Sequence, residues 1–468
     1  MFHRRFYIIM TALLLIAVFI CSTGYSRKET VVRGYSAVSI SDKWQKLIDD
    51  DPGRVLIRDE TPQNDIVLPA SFSFTENGRL PEILDQGNTG SCWAYAALTA
   101  LETSLLPEEE HTFSRAHLLQ MNSFGTDEEN GGESTMALAY LLAWQGPVEE
   151  PWNGSDSARI AKHVQGAVIM EDPSVEAIKK AVYEYGGVEA SVYLVMSDGD
   201  HLIEVDHYYN EAEKAYCYTG DRRVNHDVVI IGWDDGYSRS HFVNGDTLPE
   251  DGAFLCLNSW GEDFGENGTF WVSYCDAALA SRAMYFSDVE SRNNYDHIYQ
   301  TDLCGATANA GYGSETAYFA NVYTAESDEL LSAVGFYALG KNSTYEVYGV
   351  QSFNGAASLQ ERVLLSSGIL PEAGFYTVPL EGYYPLSEGE TFAVVVRIST
   401  PGLSCPVAVE KATKDIPGVI TEDGEGYLSN DGLYFRNTEN QSGCNICLKV
   451  YTTDQEKKKR SGRISTGQ

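Results

Sequence analysis

Basic residues are scarce in this chain: 33 Lys and Arg stand against 67 Asp and Glu in 468 residues, a formal net charge of −34. Nucleic-acid affinity rests on cations that neutralise phosphates, so this balance excludes nucleic acid as a partner. The surplus acid is read as a solvated surface that keeps the protein soluble. Long apolar runs are also lacking. The stretch at 6–20, behind Met1-Phe2-His3-Arg4-Arg5, is shorter than the 18 or more apolar residues expected of a membrane span. With small residues at Gly24 and Ser26 after it, the layout is that of a signal peptide covering 1–26. An uncleaved membrane anchor is the alternative, and bulky Ile20 argues against lipidation at Cys21. The expectation is a secreted or cell-surface protein.

Cysteine is too sparse and too scattered for a dense disulfide scaffold. Beyond Cys21 there are Cys92, Cys217, Cys256, Cys275, Cys304, Cys405, Cys444 and Cys447. Cys444 and Cys447 form a C-x-x-C pair, but a structural zinc site needs a second ligand pair, and none stands at comparable spacing. Pairing among Cys304, Cys405, Cys444 and Cys447 stays open; the plainer reading is buried free thiols. His201 with His207 lacks further ligands at metal spacing, and His117, His163 and His241 belong to no motif. No metal and no organic cofactor is expected.

Hydrophobic residues at 43% and aromatics at 12% supply packed cores, and the length points to two domains. Residues 27–67 are polar and broken by Asp51-Pro52-Gly53, a leader or linker. From 68 to 288 the first half reads as helical. The segment 92–106 is rich in Ala and Leu all round and stops at Pro107; Ser114 and Ser174 can cap further helices, and 135–144 suits another. Short β-type runs follow at 188–194, 227–233, 254–258 and 269–274. A helical half followed by a sheet half is α+β. The polar run 290–294 is read as a linker, so a chain ended near Asp288 is expected to fold alone. Residues 295–453 alternate short strands with Gly, Ser and Asn turns, an all-β sandwich, and the basic tail 454–468 reads as disordered.

The chemistry concentrates in Gln86-Gly87-Asn88-Thr89-Gly90-Ser91-Cys92-Trp93-Ala94-Tyr95. Cys92 opens a predicted helix, whose unpaired N–H groups favour a thiolate. A lone cysteine is usually inert, so a base must accompany it. Asn225-His226-Asp227 supplies one at the start of an apolar strand, and Leu257-Asn258-Ser259-Trp260-Gly261 follows.

These three segments, in this order and spacing, resemble the active-site motifs of papain-like cysteine peptidases. The resemblance implies a two-lobed catalytic domain with a helical lobe and a β lobe. It also implies the roles: Cys92 as nucleophile, His226 as base, Asn258 orienting the imidazole, and Trp260 shielding that contact. Gln86 would help the Cys92 N–H stabilise the oxyanion. Asn130-Gly131-Gly132 is similar to the glycine pair on which the family lays a substrate backbone. Thr89 stands where many relatives have a disulfide cysteine, and 27–67 is short for the family's helical inhibitory propeptide.

Asp227 stands where relatives usually carry Ala or Gly. By strand alternation it faces away from His226, toward what the resemblance implies is the wall of the S2 pocket. A turn-capping role, or pairing with Arg222 or Arg223, is the competing reading. Residues from about 296 to 453 look like the lectin-like domain behind papain-type domains in exported bacterial peptidases. The implied partners are protein or peptide substrates, and glycans or cell wall for the C-terminal domain. The function expected is peptide-bond hydrolysis through an acyl-enzyme. The alternatives are a surface adhesion or carbohydrate-binding protein with a lapsed site, and acyl transfer to an amine.

Overall fold

The computed structural model describes residues 67–455, apart from 126–130, 156–157, 195–206, 414–415, 417 and 422–423. The expected signal peptide, nearly all of the leader, Asn130, His201 and the tail beyond Gln455 lie outside the described residues.

Helix Cys92–Leu105 is the axis of the first lobe. Its sequence holds good helix formers without Gly or Pro, and an apolar surface all round demands burial all round. Trp93, Ala94, Ala97, Leu98 and Leu101 are accordingly buried. One acid sits among them. Glu102 accepts hydrogen bonds from the Phe113 N–H and from Arg115 Nη2, each at 2.7 Å, and Arg115 Nη2 also reaches Thr99 Oγ1 at 2.9 Å. A carboxylate buried with such partners is tolerated, and here it ties the central helix to Arg115–Met121. Ser114 and Ser174 cap the helices Arg115–Met121 and Val175–Glu184, accepting from the N–H groups of His117 and Ala177. Helix Ser134–Leu142 completes the lobe.

The second lobe is sheet. Strands Val188–Val192, His226–Asp234, Ala253–Leu257 and Thr269–Ser273 lie in that spatial order, each antiparallel to its neighbour. Two long strands were not foreseen, Lys162–Glu171 and Arg282–Ser291, paired antiparallel along their length. Arg282–Ser291 also pairs with Val188–Val192, which joins them to the same sheet.

The C-terminal region is a β-sandwich. A six-stranded sheet, including Thr316–Thr324, Ser343–Val350 and Thr391–Ser399, packs on the layer formed by Glu329–Ala338, Gly374–Leu386 and Leu448–Asp454. Phe319, Phe336, Val394, Val396 and Val450 fill the space between them.

The sandwich is not hung on a linker. Gly374, Phe375 and Tyr376 pair with Val168, Ala167 and Gly166, so one sheet continues from the first domain into the second. A Cβ on Gly374 would stand 2.1 Å from the Ala167 carbonyl oxygen, so only glycine permits this approach. Phe375, Tyr337, Cys304 and Cys447 belong to the same apolar core as Trp93. Trp144 stacks on His163 at 3.6 Å between ring centroids, and His163 Nδ1 lies 2.6 Å from Asn294 Oδ1. Gln300 donates to the Ala143 carbonyl at 3.0 Å.

The polar run 290–294 therefore corrects the linker reading. Glu290 and Ser291 pair with His163 and Lys162 inside the sheet, and Asn294 donates to Glu290 Oε2 at 2.6 Å. Polarity here reflects a strand end with its hydrogen bonds satisfied. Asp454 likewise ends a strand, its N–H bonded to Asp296 Oδ2 at 2.9 Å, rather than opening the tail. The eight cysteines described are thiols, and no disulfide bridge joins Cys304, Cys405, Cys444 or Cys447.

A chain ended at Asp288 should be insoluble, or should melt well below the full chain, because strand Lys162–Glu171 loses pairing on one edge and the shared core loses Phe375 and Tyr337. Soluble yield and the thermal midpoint measure this. Equal stability of the short chain would contradict the shared-core description.

Candidate active site

Cys92 is the first residue of its helix, and Ser91 caps it without a side-chain bond to the helix. The Ser91 hydroxyl is engaged with Thr89 Oγ1 at 2.5 Å instead. The N–H groups of the first turn are thus left for other work. One of them, from Trp93, is directed at the Cys92 sulfur, and so is the backbone N–H of Asp227 from the facing strand. That second contact brings the helical lobe's thiol to the start of strand His226–Asp234.

His226 Nε2 lies 2.7 Å from Asn258 Oδ1. With the amide oxygen facing that nitrogen, Nε2 carries the proton and Nδ1 is the basic atom. Asn258 is fixed at three points: its N–H donates to the Gly268 carbonyl at 2.9 Å, its Oδ1 also accepts from the Ser259 N–H at 2.8 Å, and the whole residue is buried. Trp260 stands against the imidazole, with ring centroids 5.0 Å apart, and Phe264 meets the indole edge-on at 5.0 Å. These rings keep water from the His226–Asn258 bond, which strengthens it.

Gln86 is buried and tied to the Asn258 strand end. Its N–H donates to the Ser259 carbonyl at 2.8 Å, and its Oε1 accepts from Ser259 Oγ at 2.5 Å. Nε2 donates to the Thr89 carbonyl at 2.7 Å, which leaves the second amide hydrogen for another acceptor. Gly131 has φ +71, and a Cβ on Gly132 would lie 2.5 Å from Trp93 Cε2. The glycine pair thus closes against the residue next to the thiol.

Burial dominates the electrostatics. It pushes the Cys92 thiol up to about 12, Asp227 and Glu189 add to that, and the N–H groups of Asp227 and Trp93 oppose it. Asp227 is itself pushed up to about 7, first by burial and then by Glu133, while Arg282 pulls the other way. Glu189 is held well above the ordinary carboxylate range by burial and then by Asp227. Two buried carboxyls in contact cannot both ionise, so Glu189 keeps the proton. Asp227's charged neighbours are therefore Glu189, Glu133 and Arg282, and not Arg222 or Arg223.

Sequence reasoning missed Glu189, Ser259, Glu133 and Arg282. Glu189 left a signal, since a lone acid in the apolar strand Val188–Val192 is rarely buried without a partner. Ser259 left none, because its role depends on Gln86 lying 173 positions away. His163 and His117 are structural, the first against Trp144 and Asn294, the second 2.7 Å from the Tyr140 hydroxyl. Among the described residues no cluster of His, Cys, Asp or Glu forms a metal site.

Comparison with known proteins adds two domain matches. Residues 68–287 match the pattern described as papain family cysteine protease, and residues 298–452 match the lectin like domain. Among curated relatives, a viral cathepsin of Heliothis zea nuclear polyhedrosis virus is 28% identical over 217 residues, covering 44% of this chain and 52% of that protein. Cathepsin J of Mus musculus is 27% identical over 263 residues, covering 52% and 74%. The chain thus spans about half the length of the first and three quarters of the second. Among solved structures, the clostridial cysteine protease Cwp84 after propeptide cleavage superposes with a TM-score of 0.72 at 25% identity, covering 82% of this chain and 99% of that one. A structure of the cysteine protease and lectin-like domains of Cwp84, a surface layer associated protein of Clostridium difficile, gives 0.71 at 25% identity, covering 83% and 90%.

A carboxyl whose folded pKa lies above its unfolded value of about 3.9 holds its proton more tightly in the fold. Asp227's contribution to stability is then full below the unfolded value and is lost as pH rises toward about 7. Thermal midpoints taken from about pH 4 to 8 should show Asp227→Asn gaining on the wild type as pH rises. A difference that does not change with pH would remove the buried acid pair from the account.

Proposed function

Residues 68–287 belong to the papain family of cysteine proteases, with a lectin-like domain at 298–452; on that premise we propose that the chain hydrolyses peptide bonds of protein substrates with Cys92 as nucleophile and His226 as base. The observation that carries this is the 2.7 Å His226–Asn258 bond behind a thiol that faces the start of the same strand.

The thiol alone is held high by burial, so a nucleophile forms only when its proton passes to His226 Nδ1, and the two groups titrate as a pair. The thiolate adds to the scissile carbonyl. The oxyanion takes hydrogen bonds from the Cys92 N–H and the free amide hydrogen of Gln86 Nε2, held in place by Ser259. Collapse of this adduct breaks the C–N bond, and the imidazolium gives its proton to the leaving amine. Water, deprotonated by His226, then releases the acyl group and restores the thiol. Asn258 keeps the ring in the tautomer that leaves Nδ1 basic, and Trp260 keeps water off that bond. Gly131 and Gly132 receive the substrate backbone.

A surface-bound or secreted setting agrees with the Cwp84 likeness and the N-terminal layout, and glycan binding by the lectin-like domain is the matching role for the second half. The presence of Gln86, Cys92, His226 and Asn258 together, with His226 bonded to Asn258 and Gln86 bonded to Ser259, favours the peptidase over a lapsed relative.

Stoichiometric labelling at Cys92 by an epoxide or vinyl-sulfone thiol trap, with turnover abolished in Cys92→Ala, is expected. Asn258→Ala should retain more kcat than His226→Ala, since orientation is lost while the base survives. Turnover by Cys92→Ala, or the reverse ranking, would overturn the assignment.

Asp227, with Glu133 near it and Glu189 neutral behind it, makes one wall of the cleft acidic, suited to a basic side chain at P2. Desolvated charge pairing of this kind discriminates by about 1–3 kcal/mol. A fluorogenic library varied at P2 should show a Lys or Arg preference that falls roughly tenfold in Asp227→Ala. Identical apolar preferences in both enzymes would discard the acidic-wall reading.

A further inference from the structure

Away from the reactive centre, a groove of about 600 Å³ lies where segments 148–153 and 158–162 meet the turn at Ser291 and Arg292. That volume is within the range of small-ligand sites, roughly 300–1,000 Å³. Its charges run against the character of the chain. Lys162 is spent on Glu109, with Nζ 2.5 Å from Oε1, and His111 faces Glu149 at 2.5 Å. Arg159 and Arg292, which also line the groove, have no ion pair or hydrogen bond among the described residues. With two acids for every base in the whole sequence, two guanidinium groups on one concave surface with no acid partner among the described residues are unexpected for a merely solvated face.

The rest of the lining narrows the occupant. Trp152 supplies an aromatic surface, held in place by its Nε1 donating to the Ser155 carbonyl at 3.1 Å. The strand-like backbone along the walls is paired on one edge: Val148 with Ile160, Glu149 with Phe113, and Lys162 with Ser291. The segments 151–153 and 158–159 are not strand and offer an extended peptide no ladder to join. A ring with an apolar face and a carboxylate is suited by an indole and planar guanidinium forks.

We propose that this groove binds an acidic carbohydrate of the uronic-acid type, its carboxylate taken by Arg159 and Arg292 and its ring lying on Trp152. The site is separate from the peptidase centre and from any glycan site in the lectin-like domain, and gives the enzyme a second hold on an anionic polysaccharide.

The test uses the full chain, a short oligogalacturonate, and its methyl ester as the uncharged control, with affinity measured by calorimetry. The acid should bind and the ester should not. The double variant Arg159→Ala with Arg292→Ala should lose at least about tenfold in affinity, since charged hydrogen bonds are removed, while hydrolysis of a small fluorogenic peptide stays unchanged. Trp152→Tyr, which keeps a ring at that position, should weaken binding less than the double variant. No binding by the wild type, or equal affinity in the double variant, would overturn the proposal. Tighter binding of a Glu-rich peptide at the same arginines would overturn the carbohydrate assignment.

Discussion

Cys92 and His226, the proposed reactive pair, come from two lobes, and the contact that brings the lobes together is the burial of helix Cys92–Leu105 against the sheet that carries His226. On the proposed mechanism neither residue acts from its own lobe alone. The helix presents its first turn to the Asp227 N–H because Trp93, Ala97, Leu98 and Leu101 leave no alternative packing, and because Glu102 with Arg115 fixes its rotation. A shift of an ångström at this seam would move the sulfur away from the Asp227 N–H at the start of the His226 strand, which is the scale on which catalytic geometry fails. The chemistry is thus as secure as the core beneath it.

The electrostatic surroundings work against that chemistry in isolation. An acidic wall beside a thiol raises the cost of a thiolate, and relief comes only from a positive charge formed next to it on His226. On the proposed mechanism Cys92 is consequently coupled to His226 more tightly than it would be in a basic cleft. The same wall retains a proton on Glu189, which limits the negative charge near sulfur to one carboxylate rather than two.

Much of this was legible in the residues. The caps Ser114 and Ser174, the helix starting at Cys92 and ending before Pro107, and the strand beginning at His226 follow from local signals that tertiary context did not override. Strand Lys162–Glu171 was not legible. Its buried Lys162, His163 and Gln165 look like surface residues until the fold encloses them, Lys162 and His163 pairing with Ser291 and Glu290 and Trp144 stacking on His163. The run at 290–294 misled for the same reason, since polarity marks a linker only when its hydrogen bonds go to water. Gln86 could be named from its motif, but what holds it, the hydroxyl of Ser259, is a contact across the fold that no local pattern encodes.

The bare Cα of Gly374 against the Ala167 carbonyl has a meaning for descent as well as for packing. Two domains that share only a tether can be exchanged by recombination, each arriving with its function intact. Here a newcomer would have to bring a strand with glycine at that one place, in register with residues 166–168, and apolar side chains to complete a core it did not build. The papain-like domain and its sandwich are thus bound to change together, and sequence drift in one half must be answered in the other.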